Sequence, residues 1–259
     1  MDERKVEKEI EELLQKFPKS LKLFHKLKED EEVNALLEQA NRVAIGRLGY
    51  NDHGRVHAKI TVCNALKILE LLENKGFKGN LVTEGLGDED DERIVIILAG
   101  YLHDIGMCTG RENHEFMSAI FALPIIERLL SEFYPKEKIE ILKSFIIEGI
   151  TCHMGNRVPT SLEAKIITCA DGTDMTKGRG RIPYKISKPD MHNLSVLAIE
   201  KVEIKEGKKK PVRIEVLMSN AAGIFQVEYQ LLEKIKDSKF DNFVEIVARL
   251  GEKEFTYLL

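Results

Sequence analysis

The stretch from Arg93 to Leu102 (RIVIILAGYL) is almost wholly apolar, and it ends on His103-Asp104 followed at once by Ile105-Gly106. A segment of that character belongs in the interior. A buried imidazole beside a buried carboxylate is costly unless something replaces the lost water, most economically a bound cation. The pair therefore reads as a metal site.

The 259-residue chain has ample material for a core, as one large domain or as a larger and a smaller part. No stretch reaches about 18 consecutive apolar residues. The acidic, Lys-rich start lacks the apolar segment of a signal peptide, so a cytoplasmic protein with no membrane partner is expected. The net charge of -4 argues against general nucleic-acid binding, because a surface that tracks phosphates usually leaves the domain basic. Cys63, Cys108, Cys152 and Cys169 form neither a CxxC pair nor a disulfide framework and read as free thiols.

Hydrophobic spacing predicts a mostly α chain. Val6, Ile10, Leu13, Leu14 and Phe17 mark a first helix that breaks at Pro18. Further helical segments are expected near Leu21 to Leu27, Val33 to Leu48 and Arg55 to Leu72. The acidic run Gly85 to Asp91 suits a helix N-terminus, where exposed N–H groups and the dipole favour negative charge. Helices are then expected at His114 to Phe133, Lys136 to Gly149 and Ser161 to Ala170. Beyond residue 185 the pattern changes. Ser195 to Lys205 and Pro211 to Met218 have strand-like β-branched content around a turn at Glu206-Gly207. With a helix near Phe225 to Lys236 and a strand near Phe243 to Leu250, they suggest a small β-β-α-β lobe over 186–259. Residues 1–185 would form the helical domain, with 1–50 as an extension.

His53, His57, His103, Asp104, His114, His153 and Asp171 stand out as candidates for one site. His53 and His57 are four apart and would share a helix face. Asp171 follows an apolar segment, Ala164 to Ala170, much as Asp104 does. Imidazoles and carboxylates without a thiolate suit iron, manganese or zinc, and bundle cores are common places for such sites.

Between about residues 50 and 175 this arrangement resembles the HD superfamily of metal-dependent phosphohydrolases. Its signature is a His, an adjacent His-Asp and a distant Asp on separate helices. His103-Asp104-Ile105-Gly106 reproduces the HDIG form, and Asp171 in Ala170-Asp171-Gly172 fits the terminal Asp. His57 fits the first His, with the small Ala65 eight residues on; the opposite assignment gives that place to His53. The resemblance implies an HD-domain helical bundle and a divalent metal centre of Fe, Mn, Mg, Ni or Zn. His114 and His153 stand where two-metal members carry extra ligands, which implies two cations with Asp104 between them. The chain departs from members that cleave cyclic dinucleotides, which often show paired histidines where this one has only His153.

Downstream lies Asp174-Met175-Thr176-Lys177-Gly178-Arg179-Gly180-Arg181. Its glycines let backbone approach a ligand, and Lys177, Arg179 and Arg181 could neutralise substrate phosphate. His53 is then a residue on the substrate side, and Asp174 or Glu115 a candidate for proton transfer beside His103 and Asp104. Lys208 to Lys210 sit in the expected hairpin turn, where solubility accounts for them.

The function these residues suggest is hydrolysis of a small phosphorylated substrate, a nucleotide foremost, by metal-activated water. Two alternatives stand beside it: a di-iron oxygenase of the same superfamily, and a non-catalytic metal-stabilised sensor. Exposed edge strands in the lobe would allow a homodimer.

Overall fold

The computed structural model describes residues 3–179 and 191–258, apart from the side chains of His192 and Asn193. Its helices are α1 (Glu3–Leu13), α2 (Pro18–Glu29), α3 (Glu31–Asn41), α4 (Arg55–Glu73), the short α5 (Asn80–Thr83), α6 (Glu89–Leu102), α7 (His114–Leu130), α8 (Lys136–Cys152) and α9 (Leu162–Thr173). A π-turn segment, Arg42–Arg47, extends α3, and a 3-10 turn, Ile105–Cys108, follows α6. None of the described helices is long and apolar enough to cross a membrane.

Helix α6 is the axis of the bundle. It packs against α2, α4, α8 and α9, and Ile94, Val95, Ile96, Ile97 and Leu98 are all wholly buried. Burial of each such side chain contributes about 1.5–3 kcal/mol relative to exposure. The acidic run before it works as expected. The Asp88 side chain accepts from the Asp91 amide and Asp91 accepts from the Asp88 amide, closing a capping box at the helix start. At the other end Gly106 lets α7 come close, since a Cβ there would lie 2.2 Å from the His114 carbonyl oxygen.

The second part holds α10 (Met191–Leu197), β1 (Ile199–Glu206), β2 (Val212–Met218), β3 (Val244–Leu250) and β4 (Lys253–Leu258), in sheet order β1-β2-β3-β4. Outer pairs are antiparallel and β2–β3 is parallel, joined by helix α11. That helix spans 223–237 as Gly223–Gln226, a π-turn segment Val227–Leu232, and Glu233–Asp237. The lobe packs on α4 through β1 and β2 and on α9 through α11. Ile199, Val212, Ile214 and Leu231 belong to the same buried apolar cluster as the bundle.

Two sequence expectations need correction. Residues 195–197 close a helix and the strand starts only at Ile199. The lobe also has a fourth strand, β4, turned by Gly251 at φ 58°. β4 is largely exposed, so it has no buried face whose alternation could announce it. The expected boundary near residue 185 lies outside the described residues. The lysines of the β1–β2 turn have a structural use as well: the amides of Lys208 and Lys209 donate to Glu245 at 3.0 and 2.9 Å.

Candidate metal centre

Five helix ends meet at the site. His57 comes from the first turn of α4, His103 and Asp104 from the end of α6, His114 from the start of α7, and His153 from the cap of α8. Asp171 comes from the last turn of α9 rather than from beyond it, and all six residues are buried.

Their geometry divides around Asp104. Its Oδ2 lies 3.3 Å from His57 Nε2 and 3.2 Å from His103 Nε2. Its Oδ1 lies 3.2 Å from His114 Nε2 and 3.5 Å from His153 Nε2. Asp171 Oδ1 closes the first side, 3.1 Å from His57 Nε2 and 3.7 Å from His103 Nε2.

Every one of these imidazoles is held from behind. His103 Nδ1 bonds the Gly100 carbonyl at 2.8 Å, His114 Nδ1 the Arg111 carbonyl at 2.9 Å, and His153 Nδ1 the Ile150 carbonyl at 2.7 Å. A carbonyl only accepts, so each Nδ1 carries a hydrogen and the ring, when neutral, presents its lone pair at Nε2. His57 Nδ1 is held by Asp174 Oδ2 at 2.8 Å. This is the arrangement by which outer partners fix the tautomer and direction of metal-binding imidazoles.

The consequence is a convergence of lone pairs. His114 and His153 face each other Nε2 to Nε2 at 3.2 Å. Burial, the largest influence, lowers the His153 pKa to about 4, so that ring is neutral near pH 7. The His153 lone pair therefore points at His114 Nε2, where a shared cation would accept both nitrogens. On the other side His57 and His103 meet at 3.0 Å. There burial and Arg179 oppose charging of His57, but Asp104, Asp171 and Asp174 outweigh them and push its pKa up to about 10. In the protein alone, a proton on His57 takes the place a metal would fill. Burial would raise the carboxyls of Asp104 and Asp171, yet the neighbouring His103 holds the first, and the Lys234 ammonium the second, well below the usual carboxylate range. The donor set therefore fits a metal. His57, His103 and Asp171, and separately His103, Asp104 and His153, each have ligand atoms within 4.8 Å of one another and could hold one.

A cavity of about 300 Å3 opens over this centre. His53 lines it with its ring centre 6.0 Å from that of His57 and its Nδ1 bonded to the Asn51 carbonyl at 2.6 Å. Burial pushes the His53 pKa down to about 3, which keeps the ring neutral. Arg179 also lines the cavity; its Nη2 lies 3.1 Å from His57 Nε2, and Nη1 and Nε bond the carbonyls of Asp174 and Asp52. Lys177 does not line it: the side chain is half-buried and its Nζ lies 4.0 Å from Glu200. Arg181 falls outside the described residues. Glu115 sits 3.5 Å behind His114 Nδ1 and accepts from Asn156 at 2.8 Å.

Two cations at the cavity escape sequence reasoning. Arg111 Nη1 lies 3.3 Å from His114 Nε2, so a guanidinium stands by each imidazole pair. Its place three residues before His114 is the only local signal. Lys234, from α11, bonds Asp171 Oδ2 and donates to the His153 carbonyl at 3.0 Å. A lysine in an otherwise ordinary amphipathic helix carries no signal of such a role, since most lysines are exposed.

The HD domain family model matches residues 54–176, which contain all six residues of the centre. The uncharacterized protein MJ1020 of Methanocaldococcus jannaschii is 44% identical over 248 residues, covering 95% of this chain and 95% of its own. No solved structure matches the chain. With the HD motif at a site built of the donors that motif implies, the chain belongs to the HD superfamily, whose members are generally metal-dependent phosphohydrolases.

Proposed function

We propose that this protein hydrolyses a small phosphate monoester at a two-metal centre. The observation that carries the reading is the division of Asp104, with one carboxylate oxygen turned to His57 and His103 and the other to His114 and His153. His57, His103 and Asp171 would hold one divalent cation, His114 and His153 the other, and Asp104 both. Such a pair, when bound, makes water a competent nucleophile near neutral pH and polarises a phosphoryl oxygen.

The remaining work falls to side chains of this chain. Arg179 and Arg111 approach the two imidazole pairs from the cavity, at 3.1 and 3.3 Å, and suit the oxygens of a phosphoryl group between them. His53, neutral and on the same wall, lies on the substrate side. Asp174 accepts from His57 Nδ1, behind the ring. In this reading it is a positioning residue for His57 and handles no substrate proton. A cavity of about 300 Å3 is at the small end of ligand pockets and favours a nucleoside monophosphate or a sugar phosphate over a cyclic dinucleotide.

The test is phosphate release from a panel of monophosphates by protein stripped with a chelator and then reloaded with one cation at a time. Release should require reloading and should vanish in Asp104→Ala. Full turnover by reloaded Asp104→Ala protein would refute the assignment.

A further inference from the structure

Away from the metal ligands, the cavity is bordered by two side-chain amides from opposite parts of the fold. Asn51 lies just before α4. Its main chain is fixed, because the carbonyl accepts from His53 at 2.6 Å, and the residue is only 8% exposed. Its Oδ1 is nonetheless buried without a hydrogen-bond partner. A buried polar atom left unpaired costs about 1–3 kcal/mol, so its retention needs a reason.

Gln230 borders the same cavity from the C-terminal lobe. It belongs to a series at spacing four, Gln226, Gln230 and Lys234, all lining the cavity from α11. Gln226 donates to Ser195 Oγ at 2.8 Å and Lys234 holds Asp171, so the helix is tied down on both sides of Gln230. The π-turn segment Val227–Leu232 lies between these ties, and such segments often occur at functional sites. Among the described residues, the amide of Gln230 has no hydrogen-bond partner.

We infer that Asn51 and Gln230 clamp the leaving group of the ester, and that the C-terminal lobe thereby sets which ester is cleaved. This rests on phosphate ester hydrolysis at the Asp104 centre. An amide offers both a donor and an acceptor, so the group it reads is uncharged and carries both: a nucleobase edge or a sugar hydroxyl. Lys234 orders the metal ligands and Gln230, one turn before it, selects the substrate.

The experiment compares kcat/KM for nucleoside monophosphates and simple sugar phosphates with that for p-nitrophenyl phosphate, whose leaving group has no donor. In Asn51→Ala and Gln230→Ala the ratio of polar ester to p-nitrophenyl ester should fall about tenfold, the worth of one neutral hydrogen bond. Circular dichroism melting of each variant establishes that it is folded. Which polar series loses more identifies a base edge or a hydroxyl as the group read. A ratio that holds within about threefold in both folded variants overturns the clamp. Wild-type protein that cleaves p-nitrophenyl phosphate but no polar ester overturns it too, leaving hydrolysis intact. Protein that cleaves nothing on the panel overturns both.

Discussion

Replacing Gly106 with alanine tests how the second half of the centre is built. The added Cβ would lie 2.2 Å from the His114 carbonyl oxygen and 2.3 Å from the Ser118 amide nitrogen, both backbone atoms of α7. Real Cβ contacts essentially never fall under 3.0 Å, so the first turn of α7 must retreat by about 0.8 Å, stretching the 2.8 Å bond from the Gly106 amide to Ser118 Oγ. Overpacking of this kind costs about 1–3 kcal/mol, and for a chain of this size each kcal/mol moves Tm by about 2–4 °C. The melting point should fall by roughly 2–12 °C. His114 rides on the displaced turn, 3.2 Å from Asp104, whereas metal–ligand distances hold to about 0.2 Å. His57, His103 and Asp171 stand on α4, α6 and α9 and keep their places. Elemental analysis should find two cations per chain in the wild type and one in the purified variant. A variant that melts with the wild type and keeps both cations would show that the close approach at Gly106 does not position His114.

Further outcomes follow from the outer partners and from the core. Lys234→Met removes the ammonium paired with Asp171 Oδ2, and Asp174→Asn removes the carboxylate behind His57; each should weaken metal affinity about 10–100-fold in a chelator competition. Because the His57 pKa is raised to about 10, binding must release its proton, so apparent metal affinity should climb with pH between about 6.5 and 10. Calorimetry in buffers of different ionisation enthalpy counts that proton, and affinity flat over this range would contradict the shift. The sign reverses for the chelated fold: its stabilisation by charged His57 is complete below about pH 6.5 and is lost as pH rises through about 10. Ile97→Ala, in the wholly buried axis of the bundle, should cost about 2–5 kcal/mol in urea unfolding.

The bundle was legible because helix α6 states its burial in sequence: ten nearly unbroken apolar residues that end on His103-Asp104 admit few other readings. The dipeptide's chemistry then made His57, His114, His153 and Asp171 worth pairing with it, and the structure brings all of them within reach of Asp104 or each other. What stayed hidden depends on tertiary packing. Lys234 reaches Asp171 only because α11 lies across α9, and nothing local to Lys234 encodes that crossing. Asn51 differs from any loop asparagine only in the burial it acquires when α4 and the preceding segment close on the cavity. The basic run divides for a similar reason. Its residue types announce charge, but direction is set by the backbone, which turns Arg179 toward His57 and leaves Lys177 near Glu200.

The central claim is that Asp104 joins two cation sites, and metal stoichiometry tests it most directly. After loading and desalting, the wild type should retain close to two divalent ions per chain, and Asp104→Ala, folded by circular dichroism, should lose both, because each site shares that carboxylate. A wild type that saturates at one ion per chain or fewer, or an Asp104→Ala protein that keeps two, would contradict it.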